Sequence, residues 1–190
     1  MITGVLLAAG RGERFGGDKL HATLPDGRAV AVAAAEAMIG ALPRVVAVTR
    51  PDDSATAALL GAAGCEIVVC ERAAEGMGAS LACGVAACRT ASGWVIGLAD
   101  MPAIRAEIIR AVAAALVDGA HVAAPVHDGL RGHPVGFAAE FGPALVQLAG
   151  DEGARRIVSA HHDQLTLLEV TDPGIRFDID VPCDLPATDA

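Results

Sequence analysis

Short apolar runs alternate along the chain with longer segments that are rich in alanine. The apolar runs predict β-strands at residues 2–9, 45–49, 66–70, 93–98, 121–124, 132–137 and 165–170. The alanine-rich segments predict helices at residues 28–40, 53–63, 78–89, 106–118, 140–148 and 152–160. This alternation is typical of the α/β class, in a Rossmann-like three-layer α/β/α fold with a mainly parallel central sheet. Ligands of such a fold bind at the carboxyl ends of the strands.

The length of the chain favours one domain over residues 1–190. A chain of 190 residues is large enough for one hydrophobic core, and its hydrophobic content of 53% indicates a folded protein. We find no internal repeat and no linker. The tail from Val181 onward contains proline and aspartate, and we expect it to fray.

Charge and composition argue against several classes of partner. The formal net charge is −9 and aromatic side chains are scarce, so we expect no nucleic-acid partner. The five cysteines form no C-x-x-C pair and are odd in number, which predicts reduced thiols and a cytoplasmic location. The first apolar run has no basic region before it, and no run approaches a membrane span in length, so we expect neither a signal peptide nor a membrane partner.

A glycine-rich loop follows the first predicted strand. Residues 6–19 read LLAAGRGERFGGDK and include three cations, Arg11, Arg14 and Lys19, in an otherwise acidic chain. Glycine allows the backbone to approach a ligand closely, and unpaired N–H groups in such a loop bind anions. The loop therefore predicts a phosphate site.

Two familiar phosphate-binding patterns fit this loop poorly. In the Walker pattern a lysine follows the last glycine directly, whereas Asp18 intervenes here. The dinucleotide fingerprint begins at Gly10 and Gly12, but Phe15 takes the place of its third glycine. The end of the next strand offers Arg50 instead of an acidic residue; an arginine there would suit a 2′-phosphate.

Acidic residues at two places are candidate metal ligands. Asp100 ends the run WVIGLAD and precedes a proline, which would also suit a simple turn. Asp178 and Asp180 alternate with an isoleucine, so on a strand both would point the same way. Neighbouring carboxylates repel unless a cation or solvent neutralises them.

Three further segments combine glycine with polar residues, and each has a structural explanation as well as a functional one. Residues 76–81, GMGASL, precede a predicted helix, whose free N–H groups suit an anion or the edge of a base. In GLRGHPVGF, His133 is a candidate general base or metal ligand, or it only packs against the strand. In GDEGAR, Asp151 would cap the following helix, which leaves Arg155 unexplained.

Taken together, these motifs resemble the nucleotidyltransferases that activate the molybdenum cofactor, most closely the cytidylyltransferase branch. The loop L-A-A-G-x-G-x-R-F-G-G-D-K and the D-M-P motif at residues 100–102 are similar to those of the wider superfamily. The G-M-G-x-S-L and R-G-H-P-V motifs narrow the resemblance to this branch. The matches run from residue 6 to residue 185. One departure is Val181, where relatives carry threonine.

The resemblance implies a magnesium-dependent transfer of CMP from CTP to the terminal phosphate of the molybdenum cofactor, a molybdopterin, with release of pyrophosphate. It implies nucleotide contacts from Leu7, Ala8, Ala9, Gly10, Arg11, Gly12, Lys19, Gly76, Met77, Gly78 and Ser80. It implies catalytic roles for Lys19, Arg14 and Asp100, and Mg²⁺ ligation by Asp100 and Asp180, with Asp178 behind them. Arg131, His133 and Arg155 would lie near the acceptor. A recipient molybdoenzyme is a further candidate partner.

Several alternatives stay open. The donor can be GTP, as in the guanylyltransferase branch, and other superfamily members use sugar phosphates or alcohol phosphates as acceptors. An NAD(P)-linked oxidoreductase on the same fold is a second alternative. A non-catalytic module that carries or inserts the cofactor for a partner enzyme is a third.

Overall fold

The structure is a computed structural model that describes residues 1–186 and contains an eight-stranded sheet with helices. The strands are β1 Ile2–Leu7, β2 Val45–Thr49, β3 Glu66–Val69, β4 Gly93–Leu98, β5 Val122–His127, β6 Leu130–Arg131, β7 Val135–Ala138 and β8 Leu165–Glu169. The α-helices are α1 Val30–Ile39, α2 Ser54–Ala62, α3 Met77–Ala87, α4 Ala106–Val117, α5 Gly142–Leu145 and α6 Arg155–Ala160. None of the helices in residues 1–186 has the length and apolar character required to cross a membrane.

The strands lie in the order β3-β2-β1-β4-β7-β5-β6, and β8 pairs with β5 outside this order. The pairs β1–β2, β1–β4, β2–β3 and β5–β8 are parallel. Strand β7 runs antiparallel to both β4 and β5, and β6 runs antiparallel to β5. The predicted α/β fold with a mainly parallel sheet is confirmed. A strand was predicted at residues 132–137, but the sequence pattern did not indicate that this strand, β7, runs antiparallel to its neighbours.

Strand β1 shows how the sheet separates two apolar layers. Leu6 belongs to a core cluster with side chains of α1 and α4, whereas Val5 and Leu7 belong to a cluster with α3, α5 and α6. A strand covered on both faces carries a continuous apolar run, as this segment does. The result is the predicted three-layer arrangement.

The strand predicted at residues 121–124 continues to His127 and turns back into β6, which the sequence analysis missed. Asp128 and Gly129 form the connecting turn, with φ angles of 49° and 71°. Two positive φ angles are typical of the tight turn that joins hairpin strands, and Asp-Gly is a strong signal for that turn. The hairpin was therefore predictable from this dipeptide.

Both helices predicted after β7 are shorter than expected. A 3₁₀ turn over Ala139–Phe141 precedes the four-residue α5, and α6 begins at Arg155 instead of residue 152. The residue at the N-cap of α6 is Ala154, so the expected capping role of Asp151 is wrong.

Candidate active site

A cavity of about 340 Å³ opens at the carboxyl ends of β1 and β4. Its walls come from residues 7–12, from the region around the start of α3, and from the chain that follows β4. Among the residues expected to contact the nucleotide, the cavity is lined by Leu7, Ala8, Ala9, Gly10, Arg11, Gly12, Lys19, Gly76, Met77 and Ser80. Glycine, alanine and serine make up half of all the residues that line this cavity.

The loop that follows β1 leaves several backbone N–H groups unpaired. The N–H of Ala8 donates to the carbonyl oxygen of Val48 at 2.9 Å. The N–H groups of residues 9–12 donate no hydrogen bond to the backbone of residues 1–186 or to a side chain that the structure describes. Backbone N–H groups require a partner, and a cluster of unpaired ones forms an anion-binding concavity. Together with Arg11 and Lys19, they make this end of the cavity a site for phosphate oxygens.

The ammonium group of Lys19 lies between the two candidate metal carboxylates. Its Nζ is 2.6 Å from Oδ2 of Asp100 and 3.4 Å from Oδ1 of Asp180. The other carboxylate oxygen of Asp180 is 2.9 Å from a guanidinium nitrogen of Arg14. The Lys19 side chain is only 11% exposed, so solvent screens its ion pairs less than it screens surface pairs. Cations of the glycine-rich loop thus neutralise both acids.

Backbone hydrogen bonds bring Asp180 to Asp100 although the two are far apart in sequence. The N–H of the buried Ile179 donates to the carbonyl oxygen of Asp100 at 2.9 Å. The N–H groups of Asp180 and Val181 both donate to Oδ2 of Asp184, each at 2.9 Å. These bonds fix the C-terminal segment beside the glycine-rich loop.

The expectation that Asp178 and Asp180 share one face of a strand is wrong. Residues 177–180 form no strand, because their hydrogen bonds run to the Asp100 carbonyl and the Asp184 carboxylate. The Asp178 side chain is exposed and lines neither of the cavities described here. In the tail that was expected to fray, residues 182–184 form a 3₁₀ turn, and residues 187–190 lie outside the described residues.

The donor set at Asp100 and Asp180 fits a divalent cation. Oδ2 of Asp100 and Oδ1 of Asp180 both contact the ammonium group of Lys19, at 2.6 and 3.4 Å. The distance between the two oxygens therefore cannot exceed the sum of these two distances. Mg²⁺ and Mn²⁺ prefer such oxygen ligands, and Mg²⁺ usually takes one or two carboxylates together with water and phosphate oxygens. Asp100 and Asp180 are therefore able to hold a metal–phosphate complex.

Residues 149–151 close one wall of the cavity by packing against the start of α3. The N–H of Gly78 donates to the carbonyl oxygen of Gly150 at 2.7 Å. A Cβ atom on Gly78 would lie 2.7 Å from the carbonyl oxygen of Ala149, so the approach requires glycine. Gly78 thus shapes the wall without lining the cavity.

The same packing brings Asp151 into the cavity, a position that the sequence analysis did not assign to the site. Its carboxylate lies against Gly76, where a Cβ atom would collide with Oδ1. The local sequence gave no signal for this contact, because the two segments are far apart along the chain.

A second cavity, of about 420 Å³, adjoins the first. It is lined by Arg11, Gly12, Arg14, Lys19, Asp151 and Asp180, four of which also line the first cavity. Three cations and two carboxylates therefore surround it. The charges suit a second molecule that carries a phosphate group.

The residues expected near the acceptor, Arg131, His133 and Arg155, line neither cavity. The arginines are exposed, one on β6 and one at the start of α6. His133 is partly buried, and its ring Nδ1 is shielded from solvent without a hydrogen-bond partner in residues 1–186. Burial lowers the pKa of His133, which the Asp100 carboxylate partly offsets, so the imidazole is neutral at pH 7.

Arg50, a candidate for binding a 2′-phosphate, is engaged within the protein. Its guanidinium donates to the carbonyl oxygen of Gly10 at 2.8 Å, to Asp52 at 3.1 Å and to Asp53 at 3.2 Å. It lines neither cavity. This arrangement argues against a role in cofactor binding.

Asp53 also belongs to a second group of potential metal ligands. Ligand atoms of Asp18, His21 and Asp53 all lie within 4.8 Å of one another. The Asp53 carboxylate, however, already accepts hydrogen bonds from the N–H of Thr56 at 3.0 Å and from Arg50. These contacts favour a structural role for the group.

Comparison with known proteins identifies the family. Residues 4–165 match the model of the MobA-like NTP transferase domain. The chain belongs to this family. Over 94% of its length it is 32% identical to nicotine blue oxidoreductase of Paenarthrobacter nicotinovorans, covering 92% of that protein. Over 95% of its length it is 31% identical to purine catabolism protein PucB of Bacillus subtilis strain 168, again covering 92%.

Solved structures support the same assignment. The crystal structure of Rv0371c from Mycobacterium tuberculosis H37Rv superposes with a TM-score of 0.83 at 28% identity, covering 96% of this chain and 94% of that one. The structure of a manganese complex of Rv0371c superposes with a TM-score of 0.77 at 25% identity, covering 96% of this chain and 95% of that one. The predicted kinship with the molybdenum cofactor nucleotidyltransferases is confirmed at the level of the family.

Proposed function

We propose that this protein transfers CMP from CTP to the terminal phosphate of a molybdopterin-type cofactor and releases pyrophosphate. The observation that carries the proposal is the cluster of Lys19, Arg14, Asp100 and Asp180 beside the unpaired N–H groups of residues 9–12. A triphosphate bound to a divalent cation complements this cluster, because its anionic and cationic parts each find a partner of opposite charge.

The residues of the cluster have distinct roles in the proposed reaction. An oxygen of the acceptor phosphate attacks the α-phosphorus, the bond to the bridging oxygen breaks, and negative charge develops on the leaving pyrophosphate. Lys19, Arg14 and the N–H groups of the loop stabilise that charge. Catalysis then consists of positioning and charge stabilisation, and it requires no nucleophilic side chain.

We propose Mg²⁺ as the metal ion, held by Asp100 and Asp180. When bound, it neutralises triphosphate charge and polarises phosphoryl oxygens. The manganese complex of Rv0371c supports a divalent cation in a related protein.

Donor and acceptor are assigned to the two cavities. We propose CTP as the donor because the GMGASL segment, which resembles that of the cytidylyltransferase branch, contributes Gly76, Met77 and Ser80 to the first cavity. The acceptor phosphate would enter through the second cavity, which adjoins the first. Arg131, His133 and Arg155 are proposed contacts for the remainder of the acceptor, outside both cavities.

An NAD(P)-linked oxidoreductase is the second candidate function, because one relative carries the name nicotine blue oxidoreductase. The site favours it less than nucleotidyl transfer. Phe15 replaces the third glycine of the dinucleotide fingerprint, and the guanidinium of Arg50 is engaged by Gly10, Asp52 and Asp53.

Thermal unfolding with Mg²⁺ and each of CTP, GTP, ATP and NADPH tests the proposal. A ligand that binds only the folded protein, at a hundred times its Kd, stabilises it by about 2.7 kcal/mol. We expect CTP to raise the Tm in a magnesium-dependent manner. A rise with GTP alone would keep the mechanism and change the donor, and a rise with NADPH alone would favour the oxidoreductase. Pyrophosphate release with CTP and molybdopterin must follow, since binding without release indicates a non-catalytic module.

A further inference from the structure

We propose that Arg50 is a positioning residue that orients the N–H of Arg11 toward the bound triphosphate. The inference rests on the proposed function and deepens it. Arg50 directly follows β2 and lines neither cavity, so it acts through the backbone of the glycine-rich loop and not on the ligand.

The orientation follows from the geometry of one peptide unit. The guanidinium Nη1 of Arg50 donates to the carbonyl oxygen of Gly10 at 2.8 Å. This peptide bond is trans, so the C=O of Gly10 and the N–H of Arg11 point in opposite directions. Strand β1 lies between β2 and β4, and Asp100 follows β4. A carbonyl turned toward Arg50 therefore turns the Arg11 N–H toward the side of the cavity where Asp100 and Lys19 lie.

Two carboxylates fix the guanidinium of Arg50 in turn. Its Nε is 3.1 Å from Oδ1 of Asp52, and its Nη2 is 3.2 Å from Oδ2 of Asp53. The Asp53 side chain is only 8% exposed, and its other oxygen accepts the N–H of Thr56 in the first turn of α2. A planar guanidinium that two carboxylates hold through Nε and Nη2 presents the N–H groups of Nη1 in fixed directions.

This support matters because the loop itself is rich in glycine. Glycine residues rotate freely, so without Arg50 the peptide between Gly10 and Arg11 samples orientations that turn its N–H away from the phosphates. Donors that are oriented before the ligand arrives bind more strongly than donors that the ligand must order. Arg50 therefore contributes to triphosphate binding without touching the triphosphate.

The variants Arg50→Met and Arg50→Lys test the inference, with Arg44→Met as a matched control. Arg44 precedes the first residue of β2 and forms a two-point pair with Glu66, at 2.9 and 2.7 Å, at the opposite end of the strand from the cavity. Lysine at position 50 keeps a positive charge beside Asp53, so this variant carries the test if the methionine variant does not fold. Unfolding of each variant without ligand reports its stability separately.

The probe is inorganic triphosphate with Mg²⁺, which has no base and therefore reports on the phosphate site whichever nucleotide is the donor. By calorimetry, we expect about tenfold weaker binding by Arg50→Met, the usual effect of losing a hydrogen bond to a charged group. Arg50→Lys should lose less affinity for magnesium triphosphate than Arg50→Met does. Arg44→Met should bind magnesium triphosphate as tightly as the wild type does. In ¹⁵N-labelled protein, the amide resonance of Arg11 should shift on binding in the wild type and shift little in Arg50→Met.

The outcomes separate the inference from the proposed function. Wild-type affinity and an unaltered Arg11 shift in both Arg50 variants would overturn the inference and leave the proposed function standing. Equal losses of triphosphate affinity in Arg50→Met and Arg44→Met would also overturn the inference, because such losses would reflect general destabilisation of the protein. Failure of the wild-type protein to bind magnesium triphosphate would overturn the proposed function itself.

Discussion

Lys19 is the only lysine among the 190 residues, and its ammonium group joins the two carboxylates at the centre of the site. The pairing is compact, with Nζ at 2.6 Å from Asp100 and 3.4 Å from Asp180. An ammonium group is a point charge on a flexible stem, so it can exchange carboxylate oxygens for phosphate oxygens. Lys19 is therefore suited both to neutralise the acids and, in the proposed reaction, to bind phosphate oxygens.

We expect Lys19→Met to affect turnover and metal binding in opposite directions. Pyrophosphate release should fall by about 10²- to 10³-fold, the usual effect of removing one donor that stabilises developing charge. Mn²⁺ alone should bind more tightly than to the wild type, because Asp100 and Asp180 lose their shared cation. Mn²⁺ titration followed by electron paramagnetic resonance measures the second effect.

A matched variant tests whether the gain in Mn²⁺ affinity arises at the carboxylate pair. Asp180→Asn, introduced together with Lys19→Met, should remove the gain, since it leaves one carboxylate at the site. Unchanged Mn²⁺ affinity in Lys19→Met would contradict the assignment of Asp100 and Asp180 as metal ligands.

At the scale of single residues, contiguous sequence motifs singled out residues 7–12 and the stretch that contains Gly76, Met77 and Ser80, and all of these residues line the first cavity. Asp151 and Arg50 were not anticipated in their observed positions. Each contacts a segment distant in sequence, Gly76 in one case and Gly10 in the other, and no local pattern encodes such a contact.

Among the structural elements, the start of α3 depends on a close approach by residues 149–151. We expect Gly78→Ala to destabilise the protein by about 1–3 kcal/mol, because its Cβ would overpack against the carbonyl of Ala149. Nucleotide affinity should fall as well, since the start of α3, which contributes Gly76, Met77 and Ser80 to the cavity wall, would be displaced. Urea unfolding and calorimetry with Mg²⁺ and CTP measure the two effects.

Gly17→Ala is the control for that substitution. A Cβ atom at Gly17 meets nothing within 4 Å, and Gly17 lines neither cavity. Wild-type stability in Gly17→Ala with a clear loss in Gly78→Ala would support the packing argument, whereas equal effects would contradict it.

Helices up to and including α4 were predicted more accurately than the elements that follow α4. Helices α1 to α4 begin and end within two residues of the predicted bounds, because alternating strand and helix patterns mark parallel crossovers clearly. Beyond α4 the chain forms the antiparallel β7, the hairpin of β5 and β6, and two short helices. Apolar runs indicate that strands exist there but do not specify their direction.

For the molecule as a whole, His133 makes the free energy of unfolding depend on pH. Burial holds the pKa of the folded His133 below its ordinary value of 6.5. At a pH between the folded pKa and 6.5, the unfolded chain binds more protons than the folded protein does. The contribution of His133 to the free energy of unfolding is therefore complete above about pH 6.5 and is lost as the pH falls toward the folded pKa. The His133→Gln variant lacks this pH-dependent contribution to the free energy of unfolding. Urea unfolding from pH 8 to pH 5 should therefore give a gap between wild type and variant that is constant above pH 6.5 and changes below it.

The exposed His162 provides the comparison for this measurement. His162→Gln removes an exposed imidazole and controls for the loss of a histidine as such. If the difference between His133→Gln and the wild type changes with pH no more than the difference for His162→Gln does, burial of the His133 imidazole does not govern the acid sensitivity of the fold.

The ion pairs of Lys19 and Arg14 with Asp100 and Asp180 have a consequence for selectivity in the cell. A free orthophosphate ion would have to separate the cations from the acids and would leave the acids without partners. A free metal ion would leave the cations unmatched in the same way. A ligand that delivers both charges at once satisfies every group. If the proposed function holds, we therefore expect the site to discriminate against the abundant separate ions and in favour of the metal–triphosphate complex.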